Sequence, residues 1–297
     1  MRPTPWTTWL SEPHRDPVYL LLNTLAQPNP TDVLFANDWI EQAFPLYNGT
    51  PLAHLIAQSP WLVKLKPSAA VPLGQLLDRK GFSDPSWGWA YRSPMAWDAQ
   101  LHHWQQRQLV KLDGEMVVLR LMDSRIANIL IPSMREADWY VLMNPVHEVM
   151  LDTDTQPVCL ISPARDRPPL IPELKVHPFT LGEHLQTAWE NSETCIQLMA
   201  ENLACELWEN QPDNALALDT PVGQLHERLV GWLHISPILA GNVATRTLAQ
   251  FTDYAQQLGW IPSTTEPSWV KKQNLALSVT TTDFGLTCNW WMIKDNH

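Results

Sequence analysis

The proline-rich segment from Pro163 to Pro178, PARDRPPLIPELKVHP, divides the chain into two parts with different sequence patterns. Proline fixes φ and lacks an amide donor, so a run of this kind continues neither a helix nor an inner strand. Before the segment, short strand-like and helix-like stretches alternate. After it, residues 181–208 are nearly free of glycine and proline, and apolar side chains recur at four-residue steps: Cys195, Met199, Leu203 and Leu207.

These two patterns predict an α+β, or mixed α/β, fold with two lobes. Residues 1–162 are predicted to form an N-terminal α/β lobe with a small mixed sheet, followed by a proline-rich linker over residues 163–180. Residues 181–297 are predicted to form a mainly α-helical C-terminal lobe, and the alternation over residues 275–292 indicates a terminal strand pair. A chain of 297 residues accommodates two such lobes.

Three local signals add detail to the first lobe. Asp113-Gly114 lies between two apolar runs, which predicts a β-hairpin with a two-residue turn. The apolar triplet Val33 to Phe35 predicts a short strand. Ser93-Pro94 predicts the start of a helix, with the serine as its N-cap and the proline at the first helical position.

The balance of charge limits the classes of partner. The chain has 31 acidic and 20 basic residues, a formal net charge of −11, and no run of five basic residues. A negative field of this kind disfavours nucleic acid. The N-terminal region lacks a signal-peptide pattern, and its apolar run VYLLL is too short to cross a bilayer. We therefore expect a cytoplasmic protein with no membrane partner.

The four cysteines are scattered, without a CxxC pair: Cys159, Cys195, Cys205 and Cys288. A structural zinc site needs ligands at close, fixed spacing, so we predict no such site and no metal ligand set. Reduced thiols in a cytosolic compartment are the better interpretation. Cys195 and Cys205 both fall in the helical apolar pattern, so we predict that both are buried.

No catalytic, cofactor-binding or metal-binding residue is predicted, since the sequence has no GxSxG, HExxH, P-loop or GxGxxG motif. Three charges follow the predicted hairpin: Arg120, Asp123 and Arg125. They are consistent with an ion-paired brace at a strand end, with a contact surface, or with an acid/base constellation. The 16 tryptophans allow core packing or interface anchoring.

Three stretches resemble a known family. Ser59 to Leu65, SPWLVKL, is similar to the "aPwLv.l" element of the type VI secretion effector chaperones, also called adaptors. Trp87-Gly88, followed by Arg92-Ser93, is similar to the family's "wG...rS" element. Val118 to Arg125, VLRLMDSR, resembles the signature "l.RfyDpR"; Leu121-Met122 replaces its aromatic pair and Ser124 its proline, while all three charges are kept. The order and spacing agree over about residues 18–151.

The resemblance implies a protein that is not an enzyme and needs no cofactor. It would bind a cognate toxic effector, through the effector's N-terminal or loading region, in the bacterial cytoplasm. It would then promote loading onto the VgrG spike, in the service of bacterial competition. The resemblance marks six residues as interface or structural-motif residues: Trp61, Trp87, Arg92, Arg120, Asp123 and Arg125.

Two alternatives remain open at this point. One is a hydrolase whose site is assembled from distant residues around Asp123. The other is an immunity protein that binds the toxin domain of an effector rather than its loading region.

Overall fold

The computed structural model describes residues 2–13, 16–153, 155–164, 177–235 and 246–262, together with the backbone of 292–294. The chain forms two compact units, residues 1–189 with 294–297, and residues 190–293. The division falls after Trp189, beyond the segment 163–180 that we predict as a linker. Residues 165–176 lie outside the described residues, so the linker remains a prediction.

The strands of the described residues are β1 (Arg2–Pro3), β2 (Val18–Leu22), β3 (Ile40–Pro45), β4 (Trp61–Leu65), β5 (Gly88–Arg92), β6 (Leu109–Leu112), β7 (Glu115–Leu119), β8 (Glu148–Leu151), β9 (Val158–Ile161), β10 (Phe179–Thr180) and β11 (Met292–Lys294). Seven of them form a large antiparallel sheet in the order β1-β9-β8-β5-β2-β4-β3. In a small mixed sheet, β6 pairs antiparallel with β7 and parallel with β10.

The α-helices are α1 (Trp6–Ser11), α2 (Pro30–Ala36), α3 (Ala70–Asp78), α4 (Trp97–Gln106), α5 (Ser124–Ser133), α6 (Glu136–Leu142), α7 (Glu183–Glu190), α8 (Glu193–Asn210), α9 (Pro212–Leu218), α10 (Gln224–Leu233) and α11 (Leu248–Gln257). In the described part of the chain, 3-10 helices cover Pro51–Gln58 and Pro67–Ala69. The predicted fold class, mixed α and β with a helical C-terminal portion, is confirmed. Within the described residues no helix has the length and apolar character needed to cross a membrane.

The middle of the large sheet is covered on both faces. Every residue of β2 and of β5 is buried, and side chains of alternate residues point to opposite faces. On one face Trp87 packs against Trp6 with ring centroids 5.8 Å apart. On the other face Tyr19 stacks on Tyr91 at 5.3 Å. Burying a large apolar side chain is worth about 1.5–3 kcal/mol, so the packing on these two faces stabilises the first unit.

Helix α1 is held by a residue far along the chain. Its first amides, those of Trp6 and Thr7, donate to the two carboxylate oxygens of Asp78 at 2.7 and 3.0 Å. The Thr7 hydroxyl donates to the same carboxylate at 2.6 Å. Gly74 of α3 lets the helices approach, since a Cβ there would lie 2.6 Å from the Cα of Thr7. A negative charge at the N-terminus of α1 also complements the helix dipole.

The predicted hairpin is confirmed. Strands β6 and β7 pair from Leu109↔Val118 to Leu112↔Glu115, and the turn residues Asp113 and Gly114 have φ of 49° and 93°. Positive φ at both central residues is what a type I′ hairpin turn requires, and the Asp-Gly pair supplies it at low cost.

The predicted strand over Val33 to Phe35 is wrong, because these residues lie in α2. The Asn29 side chain accepts a hydrogen bond from the Thr31 amide at 3.0 Å and so caps the helix. Pro30 occupies the first helical position, where its missing amide donor costs nothing. Three apolar residues are too few to separate a strand from a short helix by period.

The helix predicted to open at Ser93-Pro94 begins instead at Trp97, with no side-chain cap. Ser93 is fully buried and its hydroxyl oxygen accepts from the Met95 amide at 3.2 Å and from the Gln100 side chain. The Ser93 hydroxyl therefore accepts hydrogen bonds inside the core and does not cap the helix.

The second unit contains the described helices α8 to α11. The prediction that Cys195 is buried is confirmed, and the other three residues of the helical pattern in α8 are buried as well: Met199, Leu203 and Leu207. The prediction that Cys205 is also buried is wrong, since it is exposed; it lies two residues from Leu203 and so on a different side of the helix. The strand pair predicted over residues 275–292 falls outside the described residues, apart from the backbone of Met292.

Candidate functional site

Each of the three motif stretches has residues at one end of the large sheet. At this end Trp61, the first residue of β4, pairs with Pro45 and with Leu22, and Leu22 pairs with Gly88, the first residue of β5. The loops that approach it are 23–29, 46–60, 79–87 and 120–123. We call this region, with the residues of those four loops and the first turn of α5, the loop end.

Asp123 is the centre of the charged cluster at the loop end. Its carboxylate accepts from the Arg125 guanidinium in a bidentate manner, with Nε to Oδ1 at 3.0 Å and Nη2 to Oδ2 at 2.8 Å. The same Oδ1 accepts from the Arg125 amide at 3.1 Å, which caps α5. The Asp123 side chain is 1% exposed. Both oxygens are therefore engaged and closed off from solvent.

Arg120 lies on the other side of Asp123, with Nη2 3.8 Å from Oδ2. Its guanidinium is buried, and this burial lowers the pKa of Arg120, while the charge of Asp123 acts in the opposite direction. Tyr47 is its neutral neighbour. Burial raises the pKa of Tyr47 to about 12, against the influence of Arg120. The Asp123 carboxylate thus serves as counterion to two arginines.

The charge of Arg125 also acts on Asp84. The Asp84 carboxylate accepts from the Ser86 amide at 2.8 Å, the Ser86 hydroxyl at 2.7 Å and the Gln27 amide at 3.0 Å. Desolvation would raise the pKa of Asp84, but these hydrogen bonds and the charge of Arg125 together hold it below its ordinary value. The cluster therefore continues from loop 120–123 into loops 79–87 and 23–29.

Ser59, the first residue of the SPWLVKL stretch, joins two more loops. It is fully buried, and its hydroxyl accepts from the Tyr47 amide at 2.9 Å. Its carbonyl oxygen accepts from the Thr24 hydroxyl at 3.1 Å. Because the charge of Arg120 acts on the Tyr47 phenol and lowers its pKa against the effect of burial, the first motif is linked to the third through this tyrosine.

The second motif reaches the third through Trp89. Its indole Nε1 donates to the carbonyl oxygen of Leu121 at 2.7 Å, in a fully buried position. Gly88 must be glycine, since its φ is +141° and a Cβ would lie 2.4 Å from the Leu21 carbonyl oxygen. Trp87 is 1% exposed and packs against Phe82 at 5.2 Å as well as Trp6. Trp87 is therefore a core residue.

Trp61 and Arg92, like Trp87, lie outside the charged cluster around Asp123. Trp61 is half-buried and meets the ring of Phe35 edge-on at 5.9 Å, and Phe35 is itself 53% exposed. Arg92 lies at the opposite end of the sheet, where it pairs with Val18. Its guanidinium donates to the Trp9 carbonyl oxygen at 2.7 Å and lies 4.7 Å from the Trp9 ring.

The arrangement is unsuited to acid/base chemistry at Asp123, because a general base needs a free oxygen that a substrate can reach. Here two guanidinium groups and a backbone amide surround a buried carboxylate. Within the part of the chain that the structure describes, no group of three His, Cys, Asp or Glu residues could hold a metal ion. The cluster instead ties four loops together.

Sequence reasoning did not single out Tyr47, Asp84 or Trp89. Each comes from a loop or strand at least 31 residues away from Arg120, and no local pattern links them to it. Asp84-x-Ser86 is a short side-chain-to-backbone turn signal of the kind that could have been noticed. No local pattern predicts that this turn comes under the influence of the Arg125 charge.

Comparison with known proteins gives one result. Residues 18–140 match the model of a family described as "Domain of unknown function (DUF4123)". This family is known as a type VI secretion effector chaperone or adaptor domain. The matched region contains all three motif stretches and the whole charged cluster. Neither the curated proteins nor the solved structures provide a match.

Proposed function

We propose, from the DUF4123 domain that residues 18–140 carry, that this protein is an effector chaperone and adaptor of a type VI secretion system. It binds a cognate toxic effector in the cytoplasm of the producing bacterium, through the effector's N-terminal or loading region. It then promotes loading of that effector onto the VgrG spike. The family match is the observation that carries this proposal.

The closed geometry at Asp123 supports a binding role over a hydrolytic one. DUF4123 is a chaperone and adaptor family rather than a known enzyme family. A hydrolase built around Asp123 would need that carboxylate to face a cleft, whereas its side chain is 1% exposed and held by Arg125 in two hydrogen bonds. We therefore favour the role of a protein that grips another protein.

Co-expression tests the proposal. The tagged full chain is produced with the N-terminal region of the effector encoded beside it, and separately with the toxin domain of the same effector. We expect the N-terminal region to co-elute with the chain and to gain solubility, and the toxin domain to do neither. In the presence of the chain, VgrG should retain the full-length effector in a pull-down.

The controls separate the alternatives. An N-terminal region from an unrelated effector should not co-elute. Co-elution with the toxin domain in place of the N-terminal region would assign the chain to the immunity proteins. Absence of a complex with either fragment, together with unchanged effector solubility, would overturn the proposal.

A further inference from the structure

The outer face of α8 carries an exposed tryptophan. Trp208, near the C-terminal end of the helix, is the most exposed of the 13 tryptophans in the described part of the chain, at 43%. Leaving so large an apolar surface in water gives up the stabilisation that its burial would provide. Tryptophan is also enriched among the side chains that contribute most to binding at protein interfaces. Trp208 is therefore a candidate anchor for a partner.

Two small side chains lie beside Trp208 on the same face of α8. Ala204 and Cys205 precede it by four and three residues, a spacing that makes helical side chains neighbours. Cys205 is exposed and Ala204 is half-buried. Because long side chains on a helix lean towards its N-terminus, the indole extends over the turn that contains these two residues. We call these three residues the Trp208 shelf.

Two further apolar side chains are exposed in the residues that follow α8. Leu216 on α9 is 62% exposed, and Val222, in the loop between α9 and α10, is 95% exposed. Hydrogen bonds fix this loop: Asp219 Oδ1 accepts from the Gly223 amide at 2.9 Å, and the Thr220 hydroxyl donates to the Leu216 carbonyl oxygen at 2.7 Å. A loop that is already ordered loses little conformational freedom when a partner binds.

The surface around these apolar side chains is acidic. Residues 190–227 include eight Asp or Glu residues and no Lys or Arg. Glu201 lies two helical turns before Trp208 and so on the same face of α8, and Glu209 and Asp213 are exposed as well. Within the described part of the chain, none of these three carboxylates forms a salt bridge. The negative charge here is therefore not compensated by the chain's own described cations.

This charge decides which class of partner the surface fits. A second copy of the chain would bring the same carboxylates face to face, and like charges opposed in an interface are unfavourable. Nucleic acids and anionic membranes are repelled for the same reason. A protein segment that carries Lys or Arg beside apolar side chains satisfies both features, since its apolar side chains cover the shelf and its cations meet the carboxylates.

We propose that the α8–α9 surface binds a basic amphipathic segment of a partner protein. The surface consists of the Trp208 shelf with Leu216, Val222, Glu201, Glu209 and Asp213. Trp208 is its apolar anchor, and the three carboxylates pair with basic side chains of the segment. This inference deepens the proposed function and rests on it, since the segment would belong to the effector. The surface lies outside residues 18–140, so the family match assigns it no role.

Cys205 reports directly on the Trp208 shelf. Cys159 and Cys195 are buried, and Cys288→Ser removes the thiol outside the described residues. The full chain with this replacement is treated with N-ethylmaleimide, alone and with a saturating amount of the effector's N-terminal region. Mass spectrometry follows the modification of Cys205. We expect its rate to fall about tenfold or more in the complex, because the bound segment excludes solvent from the shelf.

An alanine variant tests the anchor. Trp208→Ala should raise the Kd of the effector fragment about tenfold or more, the effect expected for a tryptophan at the centre of an interface. Leu258→Ala is the matched control, since Leu258 is 48% exposed in the same unit but lies outside the α8–α9 surface. It should leave the Kd unchanged. Isothermal titration calorimetry measures both values.

The acidic residues are tested through the rate of association. Glu201→Gln/Asp213→Asn should lower the association rate constant about threefold or more at low salt, and this difference should disappear at about 0.5 M NaCl. Asp98→Asn/Asp113→Asn removes the same charge from exposed residues of the first unit. This control should have a smaller effect than the α8–α9 variant, and equal effects would contradict a role for these carboxylates.

The outcomes separate this inference from the proposed function. A complex in which Cys205 reacts at its free rate, and which Trp208→Ala leaves equally tight, would remove the surface and keep the proposed function. The absence of any complex would remove both. Faster reaction of Cys205 in the free chain on dilution would assign the surface to a second copy. Faster reaction after Lys271→Ala/Lys272→Ala would assign it to the chain's own lysines, and either result would overturn the inference.

Discussion

At the scale of the residue, Asp123 combines three roles that are usually divided among several side chains. It caps α5, it holds Arg125 in a bidentate pair, and it is the counterion of the buried Arg120. Each role depends on the position of this enclosed carboxylate. The loss of this one side chain should therefore affect loops that come from distant parts of the chain.

We predict that Asp123→Ala lowers the free energy of unfolding by about 3–5 kcal/mol, because two guanidinium groups lose the carboxylate that compensates their burial. Urea denaturation followed by circular dichroism measures this. Glu41→Ala is the comparison, since the Glu41–Lys64 pair lies at the surface and should contribute about 0–1 kcal/mol.

The same variant distinguishes a brace from a contact surface. If Asp123→Ala unfolded at the wild-type urea concentration and yet failed to bind the effector fragment, the cluster would be an interface and our structural reading of it would be wrong. Arg125→Lys tests the bidentate pair separately from the charge, because lysine keeps the charge but cannot form that pair.

At the scale of the element, glycine is required for different structural reasons at Gly88 and at Gly114. Gly88 opens β5 with a φ of +141° and lies against the backbone of β2, whereas Gly114 in the hairpin turn has a φ of +93° and open space around it. The first is constrained by both conformation and contact, and the second by conformation alone.

Gly88→Ala should therefore destabilise the protein more than Gly114→Ala. We expect about 1 kcal/mol for Gly114→Ala, the cost of a left-handed conformation in a residue with a Cβ. Gly88→Ala should cost at least about 3 kcal/mol, since β2 and β5 must also separate. Thermal unfolding of both variants provides the comparison, and equal losses would contradict the close contact seen at Gly88.

The elements that sequence reasoning predicted correctly are those specified by neighbouring residues. Asp113-Gly114 determines its own turn, and the four-residue apolar period of Cys195, Met199, Leu203 and Leu207 determines the helix that contains them. The helix start predicted at Ser93-Pro94 is wrong because the Ser93 hydroxyl accepts a hydrogen bond from the Gln100 side chain inside the core. The loop end could be predicted in part: its three charges were recognised, but Tyr47 and Asp84 reach them through pairing of distant strands.

At the scale of the whole molecule, local sequence patterns bear on the fold, whereas net charge bears on association with partners. The prediction of a helical second half rested on local periodicity and succeeded where the structure describes it. The amino-acid composition does not predict the division after Trp189, since residues 181–208 form one uninterrupted helical pattern. The net charge of −11 says nothing about fold, but it bears on association with partners.

We predict that association with the effector fragment slows as salt is raised. Between about 0.05 and about 0.5 M NaCl the association rate constant should fall about tenfold or more, because the Debye length shortens from roughly 14 Å to roughly 4 Å. Stopped-flow fluorescence measures the rate. A rate that is independent of salt would show that the partner segment is not basic.

The attachment of α1 to Asp78 has a consequence for biosynthesis. A six-residue helix has no lasting stability by itself, and the carboxylate that receives its first two amides is supplied 71 and 72 residues later. On the ribosome, α1 would thus stay unformed until α3 has emerged. The Trp6 ring, which packs against Trp87, then takes its place in the core only after at least 72 further residues have been made.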